Sequence, residues 1–121
     1  MATRAERLAR ANRVAEAALD KKAVDLVALD VSALTSYADT FIIATATSDR
    51  HARAIADGIR EAETATGSQP LGVEGYEEAR WVLVDLGDVI VHVFQEAVRE
   101  AYDLERLWSD AQSLALSAAS G

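Results

Sequence analysis

The side chains with chemistry to offer begin in the run Thr47-Ser48-Asp49-Arg50-His51-Ala52-Arg53. A serine ahead of a helical stretch, with arginines behind it, suits an anion at a helix N-terminus, where unpaired N–H groups and the helix dipole favour negative charge. Ser48, Arg50 and Arg53 are therefore a candidate anion site. The same serine is also a plain helix N-cap. The residues before it, Thr45-Ala46-Thr47, lack the glycines and lysine of a phosphate-binding loop. Ser48, Asp49 and His51 do not form a catalytic triad, because neighbours on one helical turn do not face one another.

Asp85 and Asp88 are the next candidates, on either side of a turn at Leu86-Gly87. Two carboxylates there suit a divalent ion or a basic partner, and two solvated turn residues are the commoner case. No nucleophile or base joins them, so they do not make a catalytic site. The histidines, His51 and His92, fall in separate elements without the H-x-x-x-H spacing of a metal pair. The expectation is a protein without a metal or cofactor.

The elements that must position these groups follow from periodicity. Trp81-Val82-Leu83-Val84-Asp85 and Asp88-Val89-Ile90-Val91-His92-Val93-Phe94 are rich in strand formers and flank a glycine free to take positive φ. A two-residue turn at Leu86-Gly87 sets Asp85 opposite Asp88, Val84 opposite Val89 and Val82 opposite Val91. Side chains alternate along a strand, so Val82, Val84, Val89, Val91 and Val93 share one face. Trp81, Leu83, Asp85, Asp88, Ile90, His92 and Phe94 share the other. The valine face reads as core beneath helices. The mixed face is the candidate binding surface, although Trp81 and Phe94 read equally well as the second side of a sheet buried on both faces.

Upstream, Thr3-Arg4-Ala5-Glu6 has the form of a capping box and opens a helix to about Asp20. Val24 to Leu29 reads as a strand, and Phe41 to Ala46 as a continuous apolar strand central in a sheet. Ser48 starts a second helix, with Ala52, Ile55, Ala56, Ile59 and Ala62 on one face and Gly67 as its terminator. Leu71 to Glu74 is a short strand. After Phe94 the period becomes helical, with Val98, Ala101 and Tyr102 on one face, then Leu104, Leu107 and Trp108. Asp103 is placed to cap a fresh turn. The Ser/Ala-rich tail from Ser109 reads as a frayed helix or disorder. The fold class is α/β: a single domain with a mixed sheet of about five strands flanked by helices, in the order α-β-β-α-β-β-β-α.

Bulk properties narrow the function classes. The chain has 121 residues, enough for one domain with a real core. It contains no cysteine, which excludes disulfides and suits a reducing, cytoplasmic setting. No apolar run is long enough to span a bilayer, and the N-terminus lacks the apolar stretch of a secretory signal. Twenty acidic against twelve basic residues give a formal charge of −8. Little direct nucleic-acid binding is expected of such a surface, and a basic protein partner is favoured.

Specific residues go further. Gly75-Tyr76-Glu77-Glu78-Ala79-Arg80-Trp81 with the following strands to Phe94 resembles the signature of the ribosomal silencing factor family, also called the Iojap family. So do the run from Arg99 to Trp108, REAYDLERLW, and the block from Ala38 to His51 followed by Ala54-Ile55-Ala56-Asp57. The resemblance covers residues from about 10 to 110, in order and with natural spacing, a far more specific match than any single short motif. Thr40, where the family usually has an aromatic, and Ala46, where glycine is common, depart from it mildly.

The resemblance implies a nucleotidyltransferase-like fold over residues 1–110, followed by the tail at 111–121. It implies a translational repressor that binds large ribosomal subunit protein fourteen and blocks joining of the small subunit when nutrients are short. Organellar relatives act in large-subunit assembly, and some members form homodimers. The role the resemblance implies is not that of an enzyme, and the Gly-Ser and Asp-x-Asp pattern of active nucleotidyltransferases is not evident; a nucleotide- or phosphate-binding enzyme of this fold, using Ser48, Arg50 and Arg53, is the alternative. The parity of the strands nominates Trp81, Leu83, Asp85, Asp88 and His92 as partner contacts. The aromatic C-terminal motif adds Tyr102 and Trp108, which read equally as residues sealing the core under the last helix.

Overall fold

The computed structural model of the protein describes residues 3–114 and residue 116. Helix α1 (Arg4–Asp20) begins where the Thr3 hydroxyl accepts the Glu6 N–H at 3.1 Å. Its buried residues, Ala11, Val14, Ala15 and Ala18, recur at helical spacing and are small, so it lies close on the sheet. Strands β1 (Val24–Asp30) and β2 (Thr40–Ala46) follow. Every residue of β2 is buried, as its unbroken apolar run requires. Helix α2 (Asp49–Ala65) starts at Ser48, whose hydroxyl accepts the His51 N–H at 3.0 Å, and stops before Gly67 at φ +87°.

The remaining elements are β3 (Gly72–Glu74), β4 (Trp81–Asp85), β5 (Val89–Gln95), α3 (Glu96–Tyr102), α4 (Leu104–Leu107) and β6 (Gln112–Ser113). The sheet runs β3-β4-β5-β2-β1-β6. Only β2 and β5 are parallel, joined through α2; the other pairs are antiparallel. The architecture is the expected α/β domain with a mixed sheet. The sheet has six strands where about five were expected, because Gln112–Ser113 pairs with Leu29 and Asp30. That pairing also corrects the expectation of a frayed helix or disorder at these two residues. The rest of that expectation, on residues 115 and 117–121, lies outside the described residues.

The predicted turn is displaced by two residues in register. Leu86 N–H donates to the Val89 carbonyl at 2.9 Å, so Gly87 and Asp88 are the central turn residues, with Gly87 at φ +96°. Asp85 therefore faces Ile90 rather than Asp88, Val84 faces Val91, and Val82 faces Val93. A shift of two preserves side-chain parity, so both faces survive as read. Asp88 is the exception. It lies in the turn and accepts from Arg10 Nη1 of α1, so it does not join the mixed face.

Two apolar layers result. On one side of the sheet, α1 and α2 cover Ile42, Val82, Val84, Val89, Val91 and Val93. Fully burying a valine contributes roughly 1.5–3 kcal/mol, so this layer is the main source of stability. On the other side, Phe41, Ile43, Ile90 and Phe94 form a second layer. It is covered in part by Val98, Leu104 and Trp108 of the α3–α4 segment.

Candidate functional site

The second layer is where the sheet is unfinished. Its rings form a row across three adjacent strands. Trp81 on β4 lies 5.9 Å from His92 on β5, and His92 lies 5.0 Å edge-on to Phe41 on β2, measured between centroids. Both ends of the row meet the C-terminal helices. Tyr102, closing α3, sits 4.7 Å from Trp81, and Trp108, just after α4, sits 5.0 Å edge-on to Phe41. Tilted and edge-on contacts at these distances are favourable beyond the area they bury.

Local chemistry holds Trp81 at the start of β4. Phe94 lies opposite it in the strand pair, with ring centroids 4.8 Å apart. Gly75 passes so close that a Cβ there would stand 2.1 Å from the Trp81 carbonyl oxygen; its φ of +76° is also one that glycine alone adopts easily. The indole N–H donates to Nδ1 of His92 at 3.2 Å. That bond places the His92 proton on Nε2, which is buried and has no hydrogen-bond partner among the described residues. Burial pushes the imidazole down from its ordinary value to about 4, so it is neutral at physiological pH.

The predicted contact residues thus divide. Trp81 and Leu83 are half-buried on the open face, Trp108 is half-buried at its edge, and Tyr102 is 59% exposed. His92, at 5% exposure, supports the row from below. Asp85 is half-buried and accepts the Gly87 N–H at 2.9 Å, serving the turn. Asp88 is held against α1 on the opposite side of the sheet. Phe94, also read as a mixed-face residue, is wholly buried. Sequence reasoning missed Phe41 as the link between His92 and Trp108, and it missed exposed Tyr37, whose ring lies 6.2 Å from Phe41. Leu107, read there only as one position of the apolar helical period, is 72% exposed on α4. The signal for Tyr37 was its position four residues before Phe41, just outside the strand.

Of the anion-site candidates, Arg50 is exposed in the first turn of α2. Ser48 caps α2, and Arg53 donates to the carbonyls of Tyr76 and Glu77. His51 is also engaged: Nε2 donates to the Lys21 carbonyl at 2.7 Å, and Nδ1 accepts the Thr47 N–H at 2.9 Å. This side chain ties the end of α1 to the start of α2. A separate open cleft of about 850 Å³ lies between α2 and β3, lined in part by Asp57, Arg60, Thr64, Val73 and Tyr76. The Tyr76 hydroxyl donates to Asp57 at 3.0 Å, a bond that raises the phenol above its usual value.

What the aromatic face can do is bind. Its half-buried residues, Trp81 and Leu83, are largely apolar, and the segment from Glu96 to Leu107 beside it carries Glu96, Glu100, Asp103 and Glu105 together with Arg99 and Arg106. An apolar patch with a charged, polar surround is the anatomy of a protein interface. Among the described residues, no helix is long and apolar enough to cross a membrane.

Known proteins are similar in sequence and in fold. Residues 4–120 match the family described as "Ribosomal silencing factor during starvation". The chain is 48% identical over 100 residues to the ribosomal silencing factor of Bacillus subtilis, covering 82% of this chain and 85% of that one. It is 37% identical over 113 residues to the chloroplastic protein Iojap of Arabidopsis thaliana, covering 93% of this chain and 47% of that one. A crystal structure from Chromobacterium violaceum superposes with a TM-score of 0.82 at 39% identity, covering 90% of each chain.

Proposed function

The chain belongs to the ribosomal silencing factor family, and on that premise we propose that it represses translation by binding the large ribosomal subunit. The finer reading is that it docks on large-subunit protein fourteen in the cytoplasm and sterically blocks the small subunit, lowering translation when nutrients are short. Such a mechanism requires a bound mass in the right place and no chemistry.

The observation that carries this reading is the aromatic row from Tyr102 through Trp81, His92 and Phe41 to Trp108, left partly uncovered on an acidic chain. Trp and Tyr are the residue types that most often dominate binding energy at interface centres. A partner rich in lysine and arginine suits both the net charge and the carboxylates on α3 and α4. We assign direct contact to Trp81, Leu83, Tyr102 and Trp108, with His92 acting from beneath and Asp85 through the turn. Asp88, on the far side, leaves the contact set.

Co-sedimentation of the purified protein with separated ribosomal subunits tests the proposal. Migration with the large subunit alone, weakened as salt rises, is the expected result. Migration with neither subunit at moderate salt contradicts it; a self-associated protein that remains unbound would assign the aromatic face to a second copy instead.

A further inference from the structure

Neither α3 nor α4 buries a single residue completely, yet these helices hold both ends of the aromatic row. Something other than a deep apolar anchor must set their place. Arg99, on α3, makes the bonds that could do so. Its Nε donates to Glu105 of α4 at 2.9 Å. Its Nη1 donates to the Asp25 carbonyl of β1 at 2.7 Å and to the Thr45 hydroxyl of β2 at 2.8 Å. Its own carbonyl accepts the N–H of Asp103, the residue at φ +47° that turns α3 into α4. The side chain is only 12% exposed.

The sheet is shaped to receive it. Between Val24 and Val27 the pairing of β1 with β2 is irregular, and Asp25 takes φ +49°. A bulge of this kind removes a carbonyl from the ladder and re-aims it. Here the carbonyl meets the guanidinium. A left-handed non-glycine residue costs on the order of 1–3 kcal/mol and persists only where its surroundings hold it.

We infer that Arg99 is a positioning residue for docking: it seats the α3–α4 corner on β1 and β2 and thereby sets Tyr102 and Trp108 at the two ends of the aromatic row. The inference rests on the docking function proposed above. Arg99 need not touch the partner.

The test combines large-subunit binding with circular dichroism of the free protein, using Arg99→Ala, Arg99→Lys and Thr45→Val. Thr45 is buried beneath Arg99, so a loss on its replacement does not come from a lost partner contact. Binding should weaken about tenfold or more in both Arg99 variants and about threefold in Thr45→Val. The aromatic near-UV signal should fall while the far-UV spectrum persists. Lysine should not rescue, because one ammonium lacks the planar fork that spans Glu105 and the strands. Wild-type binding in Arg99→Lys overturns the inference, since charge alone would then suffice. If Arg99→Ala fails to fold, Thr45→Val decides: unchanged affinity and near-UV signal overturn the inference. A wild-type protein that binds no large subunit overturns the docking function itself, and this inference with it.

Discussion

Trp81 donates its indole N–H to Nδ1 of His92 at 3.2 Å, directly behind the face assigned to docking. The bond joins a half-buried ring to a buried one and gives the imidazole a single neutral tautomer. It also leaves no acceptor for a second proton without breaking the contact.

That arrangement predicts a pH dependence. His92 is pushed from its ordinary 6.5 down to about 4 in the folded protein. Between those values the unfolded chain binds the proton and the folded chain does not, so stability is full above about pH 6.5 and falls as pH drops towards 4. The contribution is on the order of 3 kcal/mol. Urea unfolding at about pH 7.5 and about pH 4.5 should show a larger loss in the wild type than in His92→Gln. Equal losses in both would place the acid sensitivity on carboxylates instead.

Replacing the face residues should separate stability from binding. Tyr102 is 59% exposed, so Tyr102→Ala should change unfolding free energy by no more than about 0.5 kcal/mol. Trp81→Ala should cost about 2 kcal/mol of stability and leave the domain folded, because the ring is only half-buried. Each should reduce large-subunit affinity by about tenfold or more, as a central aromatic contact does. Isothermal unfolding and sedimentation on the same preparations check both. An unfolded Trp81→Ala would reassign Trp81 to the core.

Away from the docking face, Arg10 Nη2 pairs with Glu63 at 2.9 Å, and Nη1 reaches Asp88, so one residue ties α1 to α2 and to the β4–β5 turn. Glu63 is only 1% exposed. Arg10→Met leaves that carboxylate buried without its partner and should cost about 3–5 kcal/mol. Adding Glu63→Leu should recover most of the loss, since an apolar pair of similar volume avoids the desolvation of both charges. A double-mutant cycle in urea reads the coupling. Strictly additive losses would contradict it.

The parity of Val82, Val84, Val91 and Val93 was legible because alternation survives any even change of register. The register itself was not, because Leu86-Gly87 and Gly87-Asp88 are both plausible turn centres until Val89 is seen to pair with Leu86. Helix starts at Thr3 and Ser48 were legible from hydroxyls that cap locally. Glu63 was not, since a charged residue in a helix reads as surface until a cation arrives from another element. The same holds for Arg99, whose partners on β1 and β2 lie far away in sequence. Gln112–Ser113 became a strand through its neighbour β1, against weak local propensity. Within the candidate site, Trp81 and Leu83 could be read from alternation alone. The burial of His92 and the diversion of Asp88 to Arg10 depend on packing that no local pattern encodes.

The most direct measurement is subunit joining. Separated large and small subunits are mixed with and without the protein, and the fraction of joined ribosomes is read on a gradient. A repressor that docks through its aromatic face should lower that fraction and remain with the large subunit, while Trp81→Ala should need about tenfold more protein to do either. Undiminished joining with the wild-type protein present in excess would contradict the central claim.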